Sequence, residues 1–106
     1  MPVRGWYGGG VAGARETRWE YAEVRFYRRV TQILFSHEQG PGNVERWSQR
    51  SPESVDLRRS NLRYIQLNRQ EEPVDVLAVL GDDGWELVSP MSVQISLRYV
   101  FKRARR

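Results

Sequence analysis

The sequence predicts a small α+β domain: an antiparallel β-sheet of four or five strands with one short helix packed on one face. Three patterns support this fold class. Apolar residues alternate along residues 93–101, aromatic and β-branched residues dominate residues 18–27, and two acids with a proline at residues 71–73 are typical of a helix start. A chain of 106 residues has room for one such domain.

The chain ends are predicted to lie outside this domain. Residues 1–16 are expected to form a flexible tail, because five glycines fall within residues 5–13 and glycine is costly to order. The single α+β domain is expected to span residues 17–103. Residues 104–106 are expected to form a basic C-terminal tail.

The first strand is expected over residues 18–27. One of its faces carries small and apolar side chains, namely Ala22, Val24 and Phe26. The opposite face mixes aromatic and basic side chains, namely Trp19, Tyr21, Arg25 and Tyr27. Because that face is amphipathic, we expect it to be covered as well, and Trp19 and Tyr21 are candidate contacts for a partner or ligand. Residues 30–36 are expected either to form a second strand or to extend the first through a bulge.

Residues 37–56 are predicted to be a long loop, because Gly40-Pro41-Gly42-Asn43 is strong turn chemistry. A short helical turn is expected at Ser51-Pro52, which offers an N-cap followed by proline. Trp47 lies within this loop and is expected to anchor it on the core, although it is also a candidate partner or ligand contact. A further short strand is expected over residues 62–67.

A short helix is expected over about residues 73–80, where Val74, Leu77 and Ala78 share one face. Gly81 is expected to take the left-handed conformation that ends it. The strand that begins at residues 85–88 is then expected to break or turn at Ser89-Pro90.

Residues 93–101 are predicted to form one strand with five apolar side chains on one face: Val93, Ile95, Leu97, Tyr99 and Phe101. One eight-residue helix is too small to cover that face. The mismatch predicts self-association, either by sheet extension or by packing one sheet on another.

The charge of the chain is concentrated at its end. The sequence has 17 basic and 13 acidic residues, and sixteen of the basic ones are arginine. Four basic residues lie within residues 102–106, so the remainder of the chain carries 13 of each sign. Weak nucleic-acid binding, carried mainly by the tail, is therefore an alternative function. Its candidate contacts are Arg28, Arg29, Arg58, Arg59, Arg63, Lys102, Arg103, Arg105 and Arg106.

Several chemistries are excluded or disfavoured by composition. The chain has no cysteine and one histidine, His37, which removes thiolate zinc sites, cysteine nucleophiles and multi-histidine sites. Asp82, Asp83 and Glu86 offer three carboxylates where a calcium site needs more oxygens, so we interpret them as a solvated turn. We therefore predict no catalytic, cofactor or metal site. An enzyme or small-ligand site using residues 37–56 is a remote alternative.

Three segments carry a resemblance: Trp19-Glu20-Tyr21, the stretch Leu80-Gly81-Asp82-Asp83-Gly84-Trp85-Glu86-Leu87-Val88, and Tyr99-Val100-Phe101-Lys102-Arg103. The chain resembles a family of small bacterial proteins built on a domain of unknown function. It departs from the family at Ala78-Val79, where Leu-Asn is usual, and in residues 37–61, which the shortest members lack. The resemblance implies the fold and transfers no activity.

The motif residues are expected to be structural: Gly81, Gly84, Trp85, Tyr99 and Phe101. Trp85 is expected to fill the space under the helix. Glu86 is expected to face the other way and to pair with an arginine such as Arg98.

Together these patterns predict a non-enzymatic, homo-oligomeric interaction module of the bacterial cytoplasm. Its expected partner is a second copy of the chain, with another protein or nucleic acid as alternatives. Contact with a membrane is not expected, because no run of 18 apolar residues exists and the N-terminal residues do not resemble a secretory signal.

Overall fold

A computed structural model of the protein describes residues 16–50, 52–93 and 96–105. In these ranges the chain forms β1 (Trp19–Phe26), β2 (Thr31–Phe35), α1 (Gly42–Arg50), a 3₁₀ turn (Pro52–Ser54), β3 (Tyr64–Leu67), α2 (Pro73–Asp82), β4 (Glu86–Val93) and β5 (Ser96–Ala104). The predicted α+β class with an antiparallel sheet is confirmed. Neither helix of the described ranges is long and apolar enough to cross a membrane.

The sheet has the strand order β3-β2-β1-β5-β4, and every neighbouring pair is antiparallel. Strand β1 is therefore central, with β2 on one side and β5 on the other. Ala22 pairs with Phe35 on β2 and with Phe101 on β5. The period of two then places alternate side chains of all three strands on the same face.

One face of the sheet forms the core with both helices. Trp47 from α1 and Val76 and Leu80 from α2 are buried there at 1%, 1% and 3% exposure. Tyr99 packs edge-on against Phe26 with ring centroids 5.6 Å apart. The strands contribute Ala22, Val24, Phe26, Ile33, Phe35, Ile65, Leu67 and Phe101, and Val55 and Trp85 from the connecting segments complete the cluster.

The prediction of a long loop over residues 37–56 is wrong, because α1 occupies its middle. Asn43 and Trp47, four positions apart, are its buried residues, and most of its other side chains are polar. A helix with so narrow an apolar stripe gives almost no periodic signal. The predicted anchoring by Trp47 and the short helical turn at Pro52 are confirmed.

The presence of a second helix weakens the prediction of self-association, which assumed that one helix leaves part of the apolar face uncovered. Two helices, rather than one, pack on the core side of the sheet. Leu97 remains 37% exposed there, but Phe101 is buried at 1%. The case for self-association therefore depends on the other face of the sheet.

The predicted break at Ser89-Pro90 is also wrong. Strand β4 continues to Val93, with a register shift between Leu87 and Ser89 that marks a bulge. Pro90 is tolerated because β4 lies at an edge of the sheet, where a missing N–H leaves no ladder bond unmade.

The prediction of a single strand over residues 93–101 is wrong, because the described residues of this range belong to two different strands. Val93 belongs to β4 and β5 begins at Ser96, while Ile95 lies outside the described residues. Within β5, Leu97, Tyr99 and Phe101 pair with Phe26, Val24 and Ala22, which places these three on the core face as predicted.

The sheet extends beyond residue 103, the expected C-terminal bound of the domain. Strand β5 includes Ala104, which pairs with Trp19. The Arg105 amide donates to the Arg18 carbonyl at 2.8 Å. Ala104 thus belongs to β5, and Arg105 continues its hydrogen bonding to the segment before β1, so these two residues are not a tail. Residues 1–15 and Arg106 lie outside the described residues.

Gly81 does not have the expected left-handed conformation. It lies within α2, and Gly84 is the glycine with positive φ, at 88°, among the described residues. Gly84 therefore makes the turn from the helix into β4. A Cβ atom at this position would lie 3.4 Å from Cδ of Arg103, whereas a Cβ at Gly81 would meet no atom within 4 Å.

These two glycines form a matched pair for a stability test. Gly84→Ala is expected to lower the free energy of unfolding by about 1–2 kcal/mol, because a left-handed backbone costs an L-residue about that much. Gly81→Ala is expected to raise it by about 0.5–1 kcal/mol, because alanine favours the helix. Urea denaturation measures both changes. Equal effects of the two substitutions would contradict the assignment of Gly84 as the turn residue.

Candidate functional site

The three segments that carry the family resemblance meet at one place in the fold. Glu20 on β1 and Arg103 on β5 are register partners on the core face. Trp85 immediately precedes β4 and is 5% exposed. We call Glu20, Arg103, Trp85, Gln39 and Asp83 the arginine clamp.

Arg103 is held through all three of its guanidinium nitrogens. Nε and Nη2 donate to Oε2 of Glu20 at 3.3 and 3.2 Å, and Nη2 also donates to Oε1 of Gln39 at 2.5 Å. Nη1 donates to the Asp83 carbonyl at 2.9 Å. Gln39 in turn donates through Nε2 to Oε1 of Glu20 at 2.7 Å. The charge of Arg103 is thus compensated inside the protein.

The indole ring of Trp85 completes the clamp. The Arg103 guanidinium lies over this ring at 4.4 Å from its centroid, and the Phe35 ring packs against it at 5.8 Å. Arg46 on α1 reaches the same cluster, with Nη1 3.1 Å from Oδ2 of Asp83. The clamp therefore connects β1, β5, α1 and the end of α2. The two acids of the clamp, Glu20 and Asp83, are balanced by Arg103 within it and by Arg46 beside it, which indicates a structural role.

A polar depression of about 260 Å³ lies beside the clamp. It is lined by Glu20, His37, Glu38, Gln39, Gly40, Arg103 and Arg105. His37 is held here by a 2.7 Å hydrogen bond between its Nδ1 and Oγ of Ser36. That same Oγ accepts the Tyr21 amide at 2.9 Å. In the described ranges, no three His, Cys, Asp or Glu side chains are grouped so that they could hold a metal ion.

The remote alternative of a ligand site using residues 37–56 finds no exposed indole at Trp47 or at nearby Trp85. Both indoles are buried, at 1% and 5% exposure. Their contacts are with the core and with arginine side chains, since Arg50 lies over the Trp47 ring at 5.3 Å. Trp47 is therefore a core residue of this fold.

The side of the sheet opposite the helices is the second candidate site, and we call it the open face. Alternation places on it the side chains of Trp19, Tyr21, Glu23, Arg25, Gln32, Leu34, Tyr64, Glu86, Arg98, Val100 and Lys102. Trp19 and Tyr21 are 36% and 47% exposed. Burial raises the pKa of the Tyr64 phenol, which donates to Oε1 of Gln66 at 2.6 Å.

The centre of the open face is an ion cluster. Arg25 and Arg98 are register partners, so two like charges stand opposite each other on β1 and β5. Glu23 lies between them: it accepts a hydrogen bond from Nε of Arg25 and lies 3.8 Å from Nη1 of Arg98. The hydrogen bond to Glu23 raises the pKa of Arg25. The carboxylate of Glu23 thereby reduces the repulsion between Arg25 and Arg98.

The expected pairing of Glu86 with Arg98 is wrong. The strand partner of Glu86 is Lys102, whereas Arg98 lies four residues further along β5 and pairs with Met91. The ammonium group of Lys102 lies 4.3 Å from the centroid of the Trp19 ring, which is the geometry of a cation–π contact.

A mainly apolar depression of about 320 Å³ lies in the open face. It is lined by Tyr21, Ala22, Glu23, Arg25, Leu34, Phe35, Ser36 and Val100. Leu34 and Val100 are the register partners of Glu23 on the two neighbouring strands. The depression therefore lies across β2, β1 and β5 at the middle of the sheet.

The arginines proposed for nucleic-acid contacts are not brought together. Arg28 and Arg29 lie between β1 and β2, at the end of the sheet remote from Arg103. Arg58 and Arg59 both pair with Asp56, at 3.1 and 3.9 Å. The hydrogen bond from Arg58 lowers the pKa of the Asp56 carboxyl.

The remaining basic candidates of the described residues have different surroundings. Arg63 donates to the Ser36 carbonyl at 3.2 Å, Lys102 lies over Trp19, and Arg103 belongs to the clamp. Arg105 is exposed beside the polar depression. Among the described candidates, Arg103 and Arg105 share the polar depression, while the others lie apart from it and from one another except for the neighbours Arg28-Arg29 and Arg58-Arg59. Arg106 lies outside the described residues.

The sequence reasoning missed the clamp, although one signal was present. Glu20 shares its strand face with Ala22 and Val24, and Arg103 shares one with Phe101. A charge at the end of an apolar stripe needs a partner of opposite sign. Gln39 and Asp83 reach the clamp from connecting segments, whose path strand alternation does not predict.

No protein-family model matches the chain, and no curated protein matches it significantly. The functional argument therefore depends on the geometry of the two candidate sites.

Proposed function

We propose that this protein is a non-enzymatic, homo-oligomeric interaction module that associates through the open face of its sheet. The observation that carries the proposal is the exposure of Trp19 and Tyr21, at 36% and 47%, beside an apolar depression. Aromatic side chains at the rim of such a depression are typical of the anchors of protein interfaces.

The charges of the open face favour a second copy as the partner. Three cations, Arg25, Arg98 and Lys102, stand with two acids, Glu23 and Glu86. A surface that mixes both signs almost evenly offers little to a polyanion. It is suited to an isologous interface, in which the same patch on two subunits meets itself.

The edges of the sheet are poorer sites of association than its face. The bulge at Val88 and the missing N–H of Pro90 interrupt the outer edge of β4. The outer edge of β3 is already covered, because Val55 forms a bridge with Leu67 and the Asp56 amide donates to Gln66. We therefore favour packing of sheet on sheet over extension of the sheet.

The open face is large enough for a specific interface. The sheet has five strands, and β1 has eight residues. At about 3.3 Å per residue and 4.8 Å per strand spacing, its footprint is roughly 500 Å². Two such faces together reach the roughly 1,000 Å² expected of a weak but specific interface.

We further propose that the chain is a relative of the bacterial family that it resembles, and that it acts in the cytoplasm. The meeting of the three quoted segments in one clamp supports the first statement, because it gives Glu20, Trp85 and Arg103 a common structural reason. The absence of cysteine is consistent with a reducing compartment.

The proposal predicts a molar mass above that of one chain. Sedimentation equilibrium across micromolar to millimolar concentrations is expected to give twice 12.5 kDa or more at the upper end. The mass is expected to fall on dilution, because the interface is small. A constant mass of 12.5 kDa over the whole range would contradict the proposed function.

Nucleic-acid binding is the alternative function, and we expect it to be weak. Of the four basic residues at positions 102–106, Lys102 and Arg103 have partners within the protein. Arg105 and Arg106 are the other two, and Arg106 lies outside the described residues. Two phosphate contacts on a single strand correspond to a slope of log affinity on log salt of about −1.4. A salt titration with a labelled single-stranded oligonucleotide measures this slope. Sub-micromolar binding at physiological salt would favour the alternative.

A further inference from the structure

We propose that the apolar depression of the open face is the socket for Tyr21 of a second copy, in a two-fold dimer where each copy supplies one plug and one socket. This inference rests on the proposed function and makes it specific. It commits to one partner, a second copy of this chain, and to one residue as its anchor.

The first step is the position of Tyr21. It is the most exposed aromatic side chain of β1, at 47%, and it also lines the depression. An isologous contact uses the same surface patch on both subunits. The plug and the socket must therefore lie side by side on one surface, as Tyr21 and the depression do.

The second step is the register of the sheet. A two-fold axis that crosses β1 at Ala22, in the plane between two facing sheets, reverses one β1 on the other. Tyr21 of each copy then lies over Glu23 of the other copy. Leu34 and Val100, the strand neighbours of Glu23, form the walls of the socket on either side.

The third step is the chemistry of the socket. Leu34 and Val100, which lie on the open face, supply apolar contact for the ring. Glu23 and Arg25 also line the socket and can accept from or donate to the phenol hydroxyl of the incoming Tyr21. The socket thus has partners for both parts of a tyrosine side chain.

The test compares association constants of five full-length proteins by sedimentation velocity: the wild type, three single variants and one double variant. Tyr21→Ala is expected to raise the dissociation constant of the dimer at least about 30-fold, as for an aromatic hot spot. Leu34→Trp keeps Tyr21 but fills the socket, and a similar loss is expected. Tyr64→Ala is the matched control: an aromatic residue of the same face that does not line the depression, with at most about a threefold change expected.

Denaturation midpoints of the same variants separate loss of association from loss of folding. If the wild type associates and Tyr21→Ala and Leu34→Trp, folded, associate equally well, the plug and socket are wrong while the proposed function stands. If the wild type is a monomer throughout, the proposed function itself fails. If the double variant Trp6→Ala/Tyr7→Ala dissociates the dimer and Tyr21→Ala does not, residues 1–15 occupy the socket and our assignment of Tyr21 is overturned.

Discussion

Replacing Trp85 by alanine is expected to lower the free energy of unfolding by about 3–5 kcal/mol, the cost of truncating a buried aromatic side chain. The ring is 5% exposed and lies between Arg103 and Phe35. A domain of this kind holds about 5–15 kcal/mol in total. The variant is therefore expected to be largely unfolded in low urea, as measured by tryptophan fluorescence and circular dichroism.

Two variants control this result. Trp19→Ala removes an indole that is 36% exposed and is expected to cost far less. Trp85→Phe keeps an aromatic ring and removes Nε1, a buried donor with no hydrogen-bond partner among the described residues, so its cost is expected to be smaller than that of alanine. A midpoint for Trp85→Ala close to that of the wild type would contradict the burial of Trp85.

Replacing Arg103 by methionine is expected to cost about 3–5 kcal/mol, because it leaves the carboxylate of Glu20 buried without its cation. The two side chains are 19% and 10% exposed, so water compensates little of this loss. Glu20→Gln in the Arg103→Met background is expected to restore part of the stability. The non-additivity of this pair in a double-mutant cycle measures their coupling.

Arg58→Met is the matched control for Arg103→Met. Arg58 also binds an acid, with Nε 3.1 Å from Oδ1 of Asp56, but its side chain is 89% exposed. We expect its unfolding midpoint to stay close to that of the wild type, because exposed ion pairs contribute little. Similar losses for both arginine variants would show that the clamp gains nothing from its burial.

Strand alternation predicted the parts of the fold that depend on local pattern. Ala22, Val24 and Phe26 face the core as expected, and so do Leu97 and Phe101. The same period of two placed Trp19 and Tyr21 on the face that the helices leave uncovered. The fold class and the candidate interface therefore follow from side-chain order along single strands.

The features that sequence reasoning missed depend on contacts between distant segments. Helix α1 has few buried positions, among them Asn43 and Trp47, so its formation depends on Trp47 reaching a core that local sequence does not describe. The pairing of Glu20 with Arg103 depends on the register of β1 on β5. The depression in the open face requires side chains from three strands at once.

The central position of β1 has a consequence for how the chain acquires its structure. Its two neighbours are β2, which follows it directly, and β5, whose Arg103 contacts Glu20 across a sequence separation of 83 residues. During synthesis β1 can pair with β2 early, but its other side stays without a partner until β5 has been made. Closing so long a loop is slow, and unpaired strand edges invite contacts with other chains in the meantime. Efficient production of this protein therefore depends on β5 pairing with β1 before a neighbouring molecule does.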